Sequence, residues 1–171
     1  LKADIGYVLD AEGSPGTILN KAPGQNHINA FIYGKKAHAG IDPETGINAI
    51  KIAAEALCQI DLGRLDFETT ANIGLIEGGS ATNVVPDKVV LKGEARSHSE
   101  KKLADKTESM EKTFYSVANK NNSKAFVEVK HAYIPFAIEE NEKVVLLAKK
   151  AAESIGLKPS VISTGGGSDA N

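Results

Sequence analysis

The spacing of apolar residues between Asn26 and Phe136 restricts this chain to very few folds. Ile28, Ala30 and Ile32 alternate with Asn29, Phe31 and Tyr33, the period-two pattern of a strand with a buried face. The spacing then becomes three and four at Ile47, Ile50, Ala54, Leu57 and Asp61, which predicts an amphipathic helix. Asp42 is its expected N-cap, with Pro43 and Glu44 in the first turn. Two strands follow. "TANIGLIEG" places Ala71, Ile73 and Leu75 on one side. "KVVLKGEAR" places Val89, Leu91, Gly93 and Ala95 on one side, with Lys92, Glu94 and Arg96 on the other. Ser97 and Glu100 have capping-box spacing and open a second helix that turns Leu103, Thr107, Met110, Phe114 and Val117 inward. "AFVEVKHAYIPF" makes a last strand, stopped by Pro135. Strand, helix, strand, strand, helix, strand predicts an α+β, ferredoxin-like βαββαβ module: a four-stranded antiparallel sheet with two helices on one face.

The flanks read differently. Ile5 to Leu9 is a short apolar strand that ends at Asp10, and "APGQN" at 22–26 reads as a linker. After the module, "NEKVVLLAKKAAESIG" is an amphipathic helix stopped by Gly156, and "PSVIS" is a strand entering a glycine turn. These are α/β pieces, so the expected division is 1–24, 25–136 and 137–171, with the middle module inserted into an α/β domain. Both ends fall at strand–turn junctions, as expected of a piece of a longer protein.

With 42% apolar residues the chain can fill a core. Twenty basic against 22 acidic residues leave a net charge of -2, which provides no global field for nucleic acid or a membrane surface. No apolar run reaches membrane-spanning length. The single cysteine, Cys58, excludes an internal disulfide and fits a reducing, cytoplasmic compartment. It lies beside the Ile47–Leu57 stripe and is expected to be a small buried hydrophobe. His27, His98 and His131 stand singly and read as structural.

His38, in "GKKAHAGIDPETG", is different. Ala37 and Ala39 keep its surroundings thin, and Gly34 and Gly40 would let the backbone approach a ligand. It can fix its loop by bonding a neighbouring carbonyl, or it can offer an N–H to an oxyanion; the residues alone leave both readings open. Asn83 suits a turn, Arg96 a solvated strand end, and Asp10 a turn cap. Gly165 to Ser168 form a tight turn whose backbone N–H groups can hold an anion. It is not a P-loop, since no Lys follows the last glycine.

"GKKAHAGIDPETGINAI", "EGGSATNVVPD", "LKGEARS" and "STGGGSDAN", in this order, resemble the dinuclear-zinc exopeptidases that include peptidase T, aminoacylases and glutamate carboxypeptidases, above all the peptidase T-like branch. The resemblance implies that 25–136 is the lid or dimerisation domain of a homodimer, flanked by pieces of the catalytic domain. It implies that His38 steadies the tetrahedral intermediate in the neighbouring subunit. Asn83 and Arg96 would bind substrate near His38, Gly166, Gly167 and Ser168 would contact it from the catalytic domain, and Asp10 would be a zinc ligand. Two zinc ions and a short peptide substrate, cut tripeptidase-fashion at the amino end, are implied for the whole protein. This stretch, with one ligand, is expected to hold zinc incompletely and to be inactive alone. The rival expectation is a non-enzymatic ferredoxin-like interaction or small-molecule-binding module that pairs through its open sheet face or an edge strand.

Overall fold

The computed structural model describes residues 2–10 and 13–171. The strands are β1 (Thr17–Ala22), β2 (Gly24–Tyr33), β3 (Gly63–Arg64), β4 (Thr69–Gly78), β5 (Lys88–Ser97), β6 (Lys124–Tyr133), β7 (Phe136–Ala137) and β8 (Ser160–Ser163). The helices are α1 (Ala49–Gln59), α2 (Glu100–Lys120) and α3 (Lys143–Ser154). The main sheet has the order β3-β4-β5-β2-β6, and every neighbour is antiparallel. The expected four strands and two helices are therefore present, with two-residue β3 added at the edge beside β4.

The core lies between this sheet and α1 and α2. Ile28, Ala30 and Ile32 of β2, and Val89, Leu91 and Ala95 of β5, are fully buried beneath the helices. Leu103, Thr107, Met110, Phe114 and Val117 of α2 face them, as their spacing requires. Asn26 crosses this layer, donating to Thr107 Oγ1 at 3.0 Å, and its amide oxygen lies 2.8 Å from His131 Nδ1. His131 is thus structural, as expected.

Several local expectations are corrected. Asp42 does not cap α1: Pro43–Thr45 is a separate 3-10 turn, and Asn48 Oδ1 accepts from Lys51 N instead. The buried face of α1 is Ala49, Ile52, Ala53 and Ala56, and Ile50 points outward. The cap of α2 is Ser99, whose hydroxyl accepts from Lys102 N; Ser97 Oγ accepts from Ser99 N one step earlier. A register shift between Ile73 and Leu75 turns Leu75 to the open face and leaves it 55% exposed. Cys58 is exposed.

A second sheet, β7-β1-β8, carries the flanks, with β8 parallel to β1 and β7 antiparallel to it. Residues 22–26 are no loose linker. Ala22 ends β1, Gly24 begins β2, and Ala22 to Asn26 are all buried. Ile5 to Leu9 form no strand, since their backbone pairs with no described strand and Leu9 is fully exposed.

Candidate functional site

The first cluster sits at the end of the sheet where β2 stops and β5 starts. Gly34 donates to Asp87 O at 2.8 Å, and Lys35 and Ile47 exchange two backbone bonds of 2.9 Å. A Cβ on Gly34 would run into the Ile47 carbonyl oxygen. Gly34 therefore lets the chain approach itself, not a ligand. Beyond it the loop is zipped to residues 83–85: Ala39 N donates to Asn83 O at 2.9 Å, and Val85 N donates to Ala37 O at 3.0 Å.

His38 is held by its backbone on both sides. Its N–H donates to Asp42 Oδ1 at 3.1 Å, and its carbonyl accepts from Ile41 and Asp42 N–H groups at 3.2 Å. The ring is left exposed. Gly40 N donates to His38 Nδ1 at 3.2 Å. An accepting Nδ1 carries no proton, so in the neutral ring the proton resides on Nε2. The loop bond is thus made to a backbone amide, not to a carbonyl, and it leaves Nε2–H as the outward donor. Asn83, also exposed, lies in the turn bonded to this loop, its carbonyl accepting from Ala39 N.

The second cluster occupies the opposite end of the sheet. Arg96 on β5 is in register with Thr70 on one side and Gln25 on the other. Its Nε and Nη2 donate to the two oxygens of Glu94 at 2.8 and 3.1 Å, and Gln25 Nε2 donates to Glu94 at 2.5 Å. The adjacent carboxylate raises the Arg96 pKa further, so the guanidinium is permanently charged. Arg96, Thr70 and Pro23 line a cavity of about 250 Å³ whose far wall is Ser163, Thr164 and Gly165.

The glycine turn is docked against this same end. A Cβ on Gly167 would collide with the Tyr133 hydroxyl. Asn171 Nδ2 donates to Ile134 O at 2.8 Å and to Pro23 O at 3.2 Å, while its oxygen accepts from Ser168 N at 2.8 Å. Gly166, Gly167 and Ser168 therefore share one end of the molecule with Arg96.

The two clusters are far apart. Lys88 and Arg96 are eight residues apart on β5, which at about 3.4 Å per residue is roughly 27 Å. The expectation that Asn83 and Arg96 both lie near His38 holds for Asn83 and fails for Arg96 within one chain. Asp10 is exposed, and among the described residues no three His, Cys, Asp or Glu side chains converge. Asp10 alone does not fit a zinc ion. Sequence reasoning missed Glu94 and Gln25; the signal was available, because residues two apart on a strand share a face and "EAR" puts a carboxylate beside the guanidinium.

A family model described as "Peptidase dimerisation domain" matches residues 21–122. The fold superposes on an aminopeptidase PepT from Bacillus cereus with a TM-score of 0.93 and 47% identity, over 100% of this chain and 46% of that one. A tripeptidase from Staphylococcus aureus gives a TM-score of 0.94 and 45% identity, over 99% of this chain and 45% of that one. A Bacillus subtilis protein, YqjE, is 44% identical over 100% of this chain and 46% of its own length. The chain spans somewhat less than half the length of the proteins it matches.

Proposed function

Because the chain belongs to the peptidase dimerisation domain family, we propose that it is the lid and dimerisation module, with flanking catalytic-domain segments, of a cytoplasmic zinc-dependent exopeptidase acting on short peptides. Residues 25–136 form the lid in this reading, and 1–24 and 137–171 belong to the catalytic domain. The similarity to a tripeptidase and an aminopeptidase supports the substrate class.

The observation that carries the reading is the Nε2–H of His38, held outward by the Gly40–Nδ1 bond. At a peptide carbonyl becoming tetrahedral, that donor would meet the developing oxyanion, where its stabilisation exceeds that of the ground-state carbonyl. Arg96 and the 165–168 turn would orient the peptide, and Asn83 would contact it beside His38. Since the β5 end beside the His38 loop, at Lys88, lies roughly 27 Å from Arg96, His38 and Arg96 serve one short peptide only if His38 comes from a second copy.

A surface for that second copy is available. β3 covers only Thr70 and Ala71 of β4, so the rest of that edge has unpaired backbone groups among the described strands. Leu75 and Ile76 on this edge and Ile50 on α1 are 55%, 54% and 43% exposed. Pairing two β4 edges about a two-fold axis would satisfy the backbone and cover these side chains.

The test is His38→Ala in the whole protein. Loss of one oxyanion donor is expected to lower turnover about 100- to 1,000-fold with a nearly unchanged melting temperature, since the ring is exposed and its bond from Gly40 N is an exposed one. A loss below about threefold would remove His38 from the chemistry.

A further inference from the structure

We propose that Arg64 is a substrate-recognition residue, one half of a two-guanidinium clamp that binds a carboxylate of the peptide. The inference rests on the reading that Arg96 and the glycine turn face substrate, and it deepens that reading by assigning a residue and a ligand chemistry.

Arg64 of β3 pairs with Thr70 of β4, Thr70 pairs with Arg96 of β5, and Arg96 pairs with Gln25 of β2. Directly paired residues project from the same face, so Arg64, Thr70, Arg96 and Gln25 form one row across four strands. Strands lie about 4.8 Å apart, which places the backbones of Arg64 and Arg96 roughly 10 Å from each other with only a small Thr between them. Two long side chains over that gap can converge on a single carboxylate. Arg64, Thr70 and Arg96 all line the cavity of about 250 Å³ that faces Thr164 and Gly165.

Charge separates the two arginines. Arg96 is engaged by Glu94 through both oxygens. The acidic residues close to Arg64 in the β3–β4 turn are also engaged: Lys102 binds Asp66 at 2.9 Å and Glu68 at 2.7 Å. Arg64 itself is exposed and has no ion-pair partner among the described residues. The cavity wall also carries Glu68, whose carboxylate is taken up by Lys102, and so holds one oriented guanidinium and one uncompensated guanidinium, which is the arrangement an incoming carboxylate would complete. The turn that follows Arg64 is braced by the Lys102 bridges and by Glu68 N donating to Asp66 Oδ1 at 2.9 Å, so the cation is presented on an ordered element.

A peptide can supply the carboxylate from its C-terminus or from an acidic side chain, and three substrates distinguish these sources. Trialanine, trialanine amide and Ala-Ala-Glu amide are compared in the whole protein, wild type and Arg64→Ala. The wild type is expected to prefer a free carboxylate over trialanine amide, and the variant to lose that preference by roughly tenfold to a hundredfold in kcat/KM, mostly through KM. Preference for trialanine assigns the clamp to the terminal carboxylate, and preference for Ala-Ala-Glu amide assigns it to a side chain. Arg64→Lys, which retains charge without the fork, should restore part of the discrimination, and Arg64→Gln replaces the Ala variant if that one melts early. A wild type that cleaves all three equally, or a discrimination unmoved by Arg64→Ala, overturns the clamp and leaves the peptidase reading standing. A wild type that cleaves none of the peptides overturns the peptidase reading and the clamp with it.

Discussion

Two variants, each defective alone, should restore part of each other's activity when mixed, an expectation that follows from the length of β5. A tripeptide spans only about 10 Å when extended, whereas Lys88, at the β5 end next to the His38 loop, and Arg96 are roughly 27 Å apart. One chain cannot apply both residues to one such peptide. Each active site in a two-fold dimer would then take Arg96 from one subunit and His38 from the other. When His38→Ala and Arg96→Ala proteins are mixed in equal amounts and allowed to exchange subunits, half of the dimers are mixed. In a mixed dimer one site combines the intact Arg96 of the first subunit with the intact His38 of the second, and the other site has lost both. Recovery is therefore expected at about a quarter of wild-type activity, one half of the dimers times one of two sites. The assay is tripeptide hydrolysis by the whole protein, before and after exchange, against each variant alone. Activity that stays at the average of the two parents would show that His38 and Arg96 act within one subunit, and the distance argument would be refuted.

Stability and assembly provide further tests. Thr107→Val keeps the shape but leaves the buried Asn26 amide without its 3.0 Å acceptor; the expected loss is about 1–3 kcal/mol, seen as a fall of several degrees in melting temperature, and an unchanged melt would refute it. The Lys102 ammonium and the Glu68 N–H hold the Asp66 pKa at about 2, below the usual 3.8. A carboxylate with a lowered folded-state pKa stabilises the fold above its unfolded value and loses that contribution as pH falls toward 2. Asp66→Asn should accordingly melt below wild type at pH 6, with the gap closing by about pH 2; a gap independent of pH would exclude the bridge. Ile76→Lys places a charge on the open β4 edge and should shift the whole protein from dimer to monomer in sedimentation, while a persistent dimer would locate the interface elsewhere.

The parts of the fold legible in the sequence are those where one periodicity governs both faces of an element. α2 is such a case: every inward residue expected from its spacing is buried. α1 misleads because its buried face is built largely from alanines, Ala49, Ala53 and Ala56, whose apolar signal is weaker than that of the outward-facing Ile50. β1 escapes altogether. "TILNKA" does not alternate, and its partners, β7 and β8, lie more than a hundred residues further along the chain. In β4 the period is read correctly as far as Ile73, after which the register shift reverses the facing of Leu75, a change that a period-two count cannot anticipate.

For the site, the limit was distance. The family resemblance of the motifs carrying His38, Asn83 and Arg96 implies a single cluster. Pairing resolves them into two, because β2 and β5 stay in register without interruption from Gly24↔Ser97 to Tyr33↔Lys88. An unbroken ladder of that length is stiff, so the sheet fixes the gap between its ends. Asn83 joins His38 because the loops leaving β2 and entering β5 are zipped to each other. Arg96 is carried to the other end, where Tyr133 and Asn171 dock the glycine turn. The same strand that unites the fold therefore holds the two clusters apart, and on the proposed reading one short peptide would meet His38 and Arg96 only from two copies of the chain.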